Sequence, residues 1–159
     1  MNVRGLSEAV DFAETVLLPG GLATRVPSIP ALALLKLLTW WDRRARTTRD
    51  AIDLATMIDW YSSGTYVDHL YDEEMEVLAR HDFDPALAGA WLLGSHMPGL
   101  LDNAGMGALL RIVEDDDALA RLANDTGPPQ RGSRHGDSTC SPAWWGSTSM
   151  VAIGSVHAS

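Results

Sequence analysis

The chain has 159 residues, 46% of them hydrophobic, which is enough to bury the core of one ordinary domain. Its formal net charge of -9 argues against a general nucleic-acid-binding protein, because such proteins need a basic surface to displace counterions from phosphate. The charge is uneven: residues 1–60 carry seven basic and seven acidic side chains, whereas residues 61–125 carry three and thirteen. We therefore expect any anion site in the first third of the chain.

The sequence indicates neither export nor membrane insertion. No apolar run reaches the roughly 18 residues that a spanning helix requires, and the N-terminus has no apolar segment typical of a signal peptide. Cys140 is the single cysteine, which excludes an internal disulfide bond. We therefore expect a cytoplasmic protein in a reducing environment, with no membrane partner.

The first elements predicted are a short helix and a β-hairpin. Residues 7–16 predict the helix, with Ser7 as its N-cap. Two β-prone runs flank Pro19-Gly20-Gly21, whose glycines permit positive φ angles, so a hairpin is predicted over about residues 15–26. Because two strands alone are marginal in water, we expect the hairpin to pack against helices.

The next segments predict a series of helices. The first begins after Ser28 and carries leucine or alanine on every face, which is typical of a buried helix. Thr47 and Asp50 have the [ST]-x-x-[DE] spacing of a capping box and predict the start of a second helix. Three more patterns follow at 67–80, after Asp84 as N-cap, and at 107–124, the last interrupted by an acidic run.

The composition changes after Thr126 to a segment rich in Gly, Ser and Pro without periodicity, which predicts a disordered tail over residues 126–159. Residues 1–125 then form one domain. The predicted fold class is mainly α with a small β-hairpin, in which the hairpin packs against a bundle of about five helices.

Lys36 is the only lysine in the chain and lies in an apolar helix. A charge at such a position must reach the surface along its stem or meet an anionic partner, either a ligand or a carboxylate. Asp50 and Asp53, three residues apart, project from one side of the next helix. Capping explains Asp50 better than catalysis does, whereas Asp53 has no capping role and needs a partner such as Lys36 or Arg49 if it is buried.

Four arginines form the one basic cluster of the sequence, namely Arg43, Arg44, Arg46 and Arg49. They suit bidentate phosphate contacts if they converge, and otherwise they form a solvated loop. Asp115, Asp116 and Asp117 point in different directions on a helix, and the histidines lack zinc-site spacing, so we predict no metal ligands. No nucleophile or phosphate-loop motif predicts a catalytic residue.

Residues 1–124 resemble a known protein family, and the resemblance is strongest over residues 16–61. The succession VLLPGGLATRVPSIPALALLKLLTWWDRR and then RDAIDLATMI resembles the latter half of AbiEii/AbiGii-type nucleotidyltransferases, a toxin-like branch of the DNA polymerase β nucleotidyltransferase superfamily. In that family a strand leads through VPS into a helix carrying a lysine. A basic residue and D-x-x-D-L then open the next helix.

The resemblance implies the helical bundle portion of a nucleotidyltransferase fold, an α+β remnant that would handle a nucleoside triphosphate with Mg²⁺. The implied nucleotide-binding residues are Lys36 and Asp53, with Asp50 in a lesser role and Arg49 as the basic residue. The lysine would contact the triphosphate or support the active-site carboxylates, and Asp53 would help to hold that arrangement. An antitoxin or a second copy of the chain is the implied partner.

The chain departs from the family pattern ahead of the hairpin. Only fourteen residues precede it, without the G-S…D-x-D pattern whose carboxylates hold metal ions for phosphoryl transfer. We therefore expect a truncated nucleotidyltransferase-like protein that is inactive alone. Two alternatives remain: a helical interaction or regulatory module, and an enzyme with an unrecognised site that includes Lys36, Asp53 and His69.

Overall fold

A computed structural model of the chain describes residues 10–11 and 13–127. Val10 and Asp11 are helical, but Ser7, the predicted N-cap of that helix, lies outside the described residues. The predicted tail also lies outside them, except for Thr126 and Gly127.

The predicted hairpin is confirmed. Strands β1 (Ala13–Leu18) and β2 (Leu22–Pro27) pair antiparallel, with Leu18 opposite Leu22. A three-residue turn joins them, in which Gly20 and Gly21 have φ angles of 93° and 79°. Glycine is needed at both positions because L side chains rarely adopt this conformation. These two strands form the only sheet in the described part of the chain.

Seven α-helices follow the hairpin, so the predicted fold class, mainly α with a small β-hairpin, is confirmed. A 3₁₀ turn at Pro98–Leu100 separates the fifth helix from the sixth. The helices are α1 (Ile29–Arg43), α2 (Arg49–Tyr61), α3 (Gly64–Asp72), α4 (Met75–Arg80), α5 (Pro85–His96), α6 (Asn103–Val113) and α7 (Asp116–Thr126).

The structure has seven helices where about five were expected, because the pattern at 67–80 is divided in two and the break that the sequence indicates at the acidic run separates two further helices. The pattern at 67–80 is interrupted at Glu73 and Glu74, which end α3 and precede α4. The acidic run ends α6, and the carboxylate of Asp115 accepts a hydrogen bond of 2.9 Å from the backbone of Ala118, which begins α7. At the start of α7 a side-chain cap thus prevails over helical periodicity.

The core lies among α1, α2 and α5, with α6 and α7 closing one side. Helix α1 buries six side chains and exposes only Asp42, as the apolar residues on all of its faces predict. Helices α2 and α5 approach closely, since a Cβ atom built on Gly89 would lie 2.6 Å from the backbone oxygen of Tyr61. The fully buried large side chains are Leu34, Leu37, Trp40, Leu70, Leu78, Leu93, Leu109, Ile112 and Leu122.

The hairpin does not pack against the bundle as we expected. Among its strand residues only Ala13, Thr24 and Pro27 are even half-buried, and the others are exposed. Leu17 exposes 73% of its surface. The apolar residues of the strands predict that the hairpin needs a cover, but they do not specify that these helices supply it.

Candidate functional site

Lys36 lies between two aspartates and joins α1 to α2. Its Nζ donates a hydrogen bond of 2.6 Å to Oδ2 of Asp53 and one of 3.2 Å to Oδ1 of Asp50. The side chains of Lys36, Asp50 and Asp53 retain 28%, 9% and 41% of their exposure. The structure thus gives Lys36 the anionic partner that its position in an apolar helix requires, and we call these three residues the Lys36 cluster.

Local structure explains why the two carboxylates meet the same ammonium. Helix α2 begins at Arg49, so Asp50 lies in its first turn and Asp53 about one turn later. Residues three apart share one side of a helix, and this side of α2 faces α1. Because of the D-x-x-D spacing, both carboxylates of α2 reach the ammonium of α1 and form a pair of charge-assisted hydrogen bonds with it.

The charges of the cluster do not cancel, because one ammonium faces two carboxylates. The hydrogen bond that Lys36 donates to Asp53 is the largest cause of the rise in its pKa, burial acts in the opposite direction, and the hydrogen bond to Asp50 adds to the rise. The cationic form of Lys36 is therefore favoured, but both of its near neighbours are already anions. A phosphate could bind this ammonium only by displacing or competing with two carboxylates.

The predicted capping box at Thr47 and Asp50 is wrong. The N-cap residue is Thr48, which makes no side-chain capping hydrogen bond. The hydroxyl of Thr47 instead accepts a hydrogen bond of 3.2 Å from the backbone N–H of Arg49. Asp50 is buried, and the nearby ammonium of Lys36 satisfies its carboxylate there. A capping role would instead leave the carboxylate exposed to water at the helix end.

Arg49 does not join the Lys36 cluster. No carboxylate of the described residues lies within 4.0 Å of its guanidinium, although it precedes Asp53 by a single turn of α2. Arg43 and Arg46, on the preceding turn, likewise have no ion-pair partner there. Arg44 differs from them: its guanidinium stacks 3.7 Å from the ring centre of Trp41 and donates to that residue's carbonyl oxygen.

Two polar contacts far apart in sequence were not predicted. The indole N–H of Trp40 donates a hydrogen bond of 2.9 Å to Asp125 of α7, and Arg121 donates to the carbonyl oxygen of Arg44. These contacts attach the last described helix to α1. No local pattern specifies them, since the partners are 85 and 77 residues apart.

Burial shifts the pKa values of three further groups. It lowers the pKa of His81, whose Nε2 is buried without a hydrogen-bond partner among the described residues. It also lowers the pKa of His96 and raises the pKa of Tyr61 to about 12. A hydrogen bond of 3.3 Å joins the hydroxyl of Tyr61 to Nδ1 of His96. His69 pairs with Glu73, and not with the Lys36 cluster, among the described residues.

One small cavity lies between two helices of the bundle, α1 and α6. It measures about 40 Å³ and is lined by Leu38, Trp41, Asp42, Ala108 and Arg111. Ligand pockets usually measure ~300–1,000 Å³. Residues 10–11 and 13–127 contain no group of three His, Cys, Asp or Glu side chains placed to hold a metal ion.

Within the same part of the chain, no helix combines the length and apolar character needed to cross a bilayer. Comparisons of the sequence with protein-family models, with curated proteins and with solved structures found no match.

Proposed function

We propose that this chain is a nucleotidyltransferase-like helical protein of the cytoplasm in which the Lys36 cluster maintains the supporting framework of a nucleotide site. The 2.6 Å bond between Lys36 and Asp53 carries the proposal, because it joins the lysine helix to the D-x-x-D-L helix, the two segments on which the resemblance rests. The nucleoside triphosphate and Mg²⁺ come from that resemblance alone.

The cluster supports a framework better than it contacts a triphosphate. Two carboxylates already neutralise Lys36, so a triphosphate approaching this ammonium would meet a local excess of negative charge. The pair of ion contacts instead fixes α2 against α1, and a network of this kind is sensitive to the loss of any member. We further propose that residues 1–159 do not transfer nucleotides by themselves, since the residues ahead of the hairpin do not include the G-S…D-x-D pattern.

The first test measures metal-dependent incorporation of labelled nucleotide by the purified chain, together with the stability of Lys36→Met. We expect no incorporation. We expect Lys36→Met to lose about 2–4 kcal/mol of unfolding free energy, because Asp50 would remain buried without its cation. Arg25→Met is the matched control, since the Arg25 side chain is exposed and, among the described residues, donates hydrogen bonds only to backbone carbonyl oxygens. A labelled product would contradict the proposal, and its loss in a Lys36→Met variant that remains folded would show that the lysine takes part in transfer.

A second candidate function is a protein-interaction module, and the exposed hairpin favours it. Val16, Leu18, Leu22 and Val26 alternate along the strands and therefore share one face, and each exposes at least 40% of its surface. An exposed apolar face with unpaired strand edges is typical of a surface that binds another chain. The partner would be an antitoxin or a second copy of this chain.

Light scattering after size exclusion tests the self-association form of this candidate. The variant Leu18→Glu places a charge on the apolar face, whereas Leu17→Glu places the same charge on the opposite face. If the face joins two copies, the wild type and Leu17→Glu are dimers and Leu18→Glu is a monomer. If the wild type stays monomeric at high concentration, the face does not join two copies, and only a different partner could bind it.

A further inference from the structure

The positively charged side chains of the described residues divide into two groups. Each member of the first group has a contact. Arg25 and Arg111 donate hydrogen bonds to backbone carbonyl oxygens, and Arg80 lies over the ring of Trp91. The contacts of Lys36, Arg44 and Arg121 are those described above. The second group has no hydrogen bond, ion pair or aromatic contact from its guanidinium within the described chain. It consists of Arg43, Arg46 and Arg49.

The three members of the second group lie within seven consecutive residues. Arg43 ends α1, Arg46 lies in the connecting turn, and Arg49 begins α2. The turn is tight, since the backbone N–H of Arg46 donates to the carbonyl oxygen of Arg43 at 2.7 Å. Arg46 and Arg49 are exposed and Arg43 is half-buried. Three guanidinium groups therefore extend from one short segment with freedom to orient.

The nearby carboxylates do not compensate for these arginines. Asp50 and Asp53 are the acidic residues at the start of α2, and both bind Lys36. The Lys36 cluster thus removes the two anions that would otherwise pair with the arginine turn. Asp42 is a further carboxylate next to Arg43, and within the described residues it forms no ion pair with the three arginines. Three guanidinium groups therefore lie beside one carboxylate that Lys36 does not engage, and this excess of positive charge lies where the sequence predicts an anion site.

We propose that Arg43, Arg46 and Arg49 form a binding site for a multivalent phosphate anion of the triphosphate type. A guanidinium offers a planar fork of N–H donors that matches two phosphate oxygens. Three such forks on one turn suit a ligand with several adjacent phosphoryl groups, whereas a single phosphate lacks the oxygens to engage all of them. The site does not involve Lys36, so it can exist whether or not the proposed nucleotidyltransferase-like function is correct.

Calorimetric titration of the full chain with sodium triphosphate tests the site. The variant Arg43→Gln/Arg46→Gln/Arg49→Gln removes it, and Arg25→Gln/Arg80→Gln/Arg111→Gln changes the net charge by the same amount elsewhere. We expect the first variant to bind at least about tenfold more weakly than wild type, because hydrogen bonds to charged groups are lost. We expect the second to bind within about threefold of wild type after the small loss from long-range attraction.

Three results would overturn the proposal: no binding by the wild type, equal weakening by both triple variants, or full binding by the first variant. Melting curves establish that each variant is folded. ATP serves as a second probe: affinity equal to that of triphosphate assigns recognition to the phosphates alone, and tighter binding adds a contact to the nucleoside. Lys36→Met is expected to weaken binding, because Asp50 and Asp53 would lose the cation that holds them away from the three arginines.

Discussion

The hairpin and the helical bundle use apolar residues in opposite ways. In α1 no apolar side chain is exposed: six are buried and the others are half-buried, and the helix packs against α2, α5 and α6. In the hairpin, side chains of equal hydrophobicity are exposed, and the strands are held by their mutual ladder and a glycine turn. Stability in the bundle therefore comes from packing between distant segments, whereas the hairpin depends on local geometry.

This difference is informative about function. Selection against aggregation normally removes exposed apolar strands with free edges. Their presence beside a well-packed bundle supports the proposal that the hairpin binds another chain. The predictions that follow test whether the two regions differ as much in energy as they do in burial.

The largest expected effect comes from emptying the centre of the bundle. Trp40 is fully buried and its indole N–H binds Asp125, so Trp40→Ala should lose about 3–5 kcal/mol of unfolding free energy. The matched change in the hairpin, Leu17→Ala, should alter it by less than about 0.5 kcal/mol. Urea denaturation monitored by circular dichroism measures both. Equal losses would mean that the hairpin is packed in solution.

The next effect comes from overfilling the crossing of α2 and α5. The added Cβ of Gly89→Ala would meet the backbone of Tyr61 at 2.6 Å, and backbone atoms cannot rotate away as a side chain can. We expect a loss of about 1–3 kcal/mol in spite of the better helix propensity of alanine.

Gly107→Ala in α6 is the control for this pair, since nothing lies within 4 Å of its added Cβ. We expect a gain of about 0.5–1 kcal/mol there. Thermal melts of the two variants should therefore move in opposite directions. A stabilised Gly89→Ala would show that the two helices are farther apart than the structure places them.

A smaller effect is expected at the corner between α4 and α5. Asp82 and Phe83 both have positive φ angles, 55° and 59°, and the N–H of Phe83 donates to the carbonyl oxygen of Leu78 at 2.8 Å. Glycine adopts this conformation without the Cβ clash, so Asp82→Gly should gain about 0.5–1 kcal/mol. The same substitution at Asp68, exposed within α3, should lose about 0.5 kcal/mol. Denaturant midpoints compare the two, and a loss in both would contradict the expected relief of strain.

Local signals account for the parts of this structure that the sequence predicted. The Pro-Gly-Gly turn specifies the hairpin, and the run of leucine and alanine specifies that α1 is buried. Asp84 caps α5 as predicted, since its carboxylate accepts from the backbone N–H of Ala86 at 2.8 Å. Each of these features is decided by residues within a few positions of one another, which is the range over which propensity and capping act.

The features that were missed depend on distant partners. The [ST]-x-x-[DE] pattern at residue 47 is a local signal, but a lysine 14 residues earlier in the chain takes the carboxylate of Asp50 instead. Nor can a pattern of apolar strand residues say which surface covers them, so the exposure of the hairpin was not foreseen. For the candidate site, the sequence suggested Lys36 and Asp53 as partners, but not that Arg49 would stay apart from them.

The smallest effect concerns acid, and it distinguishes the bundle from the hairpin, which has no histidine. Burial lowers the pKa of His81 from its ordinary value of 6.5, so the unfolded chain takes up a proton at a higher pH than the folded chain does. The stability linked to neutral His81 is therefore full above about pH 6.5 and is lost as the pH falls towards its folded pKa. His96, with its pKa lowered in the same direction, adds to this loss. Unfolding free energies measured between pH 7.5 and 5 should thus decrease in the wild type and decrease less in His81→Gln, which cannot charge. Parallel pH profiles of the two proteins would mean that the imidazole of His81 is solvated and free to accept its proton in the folded state.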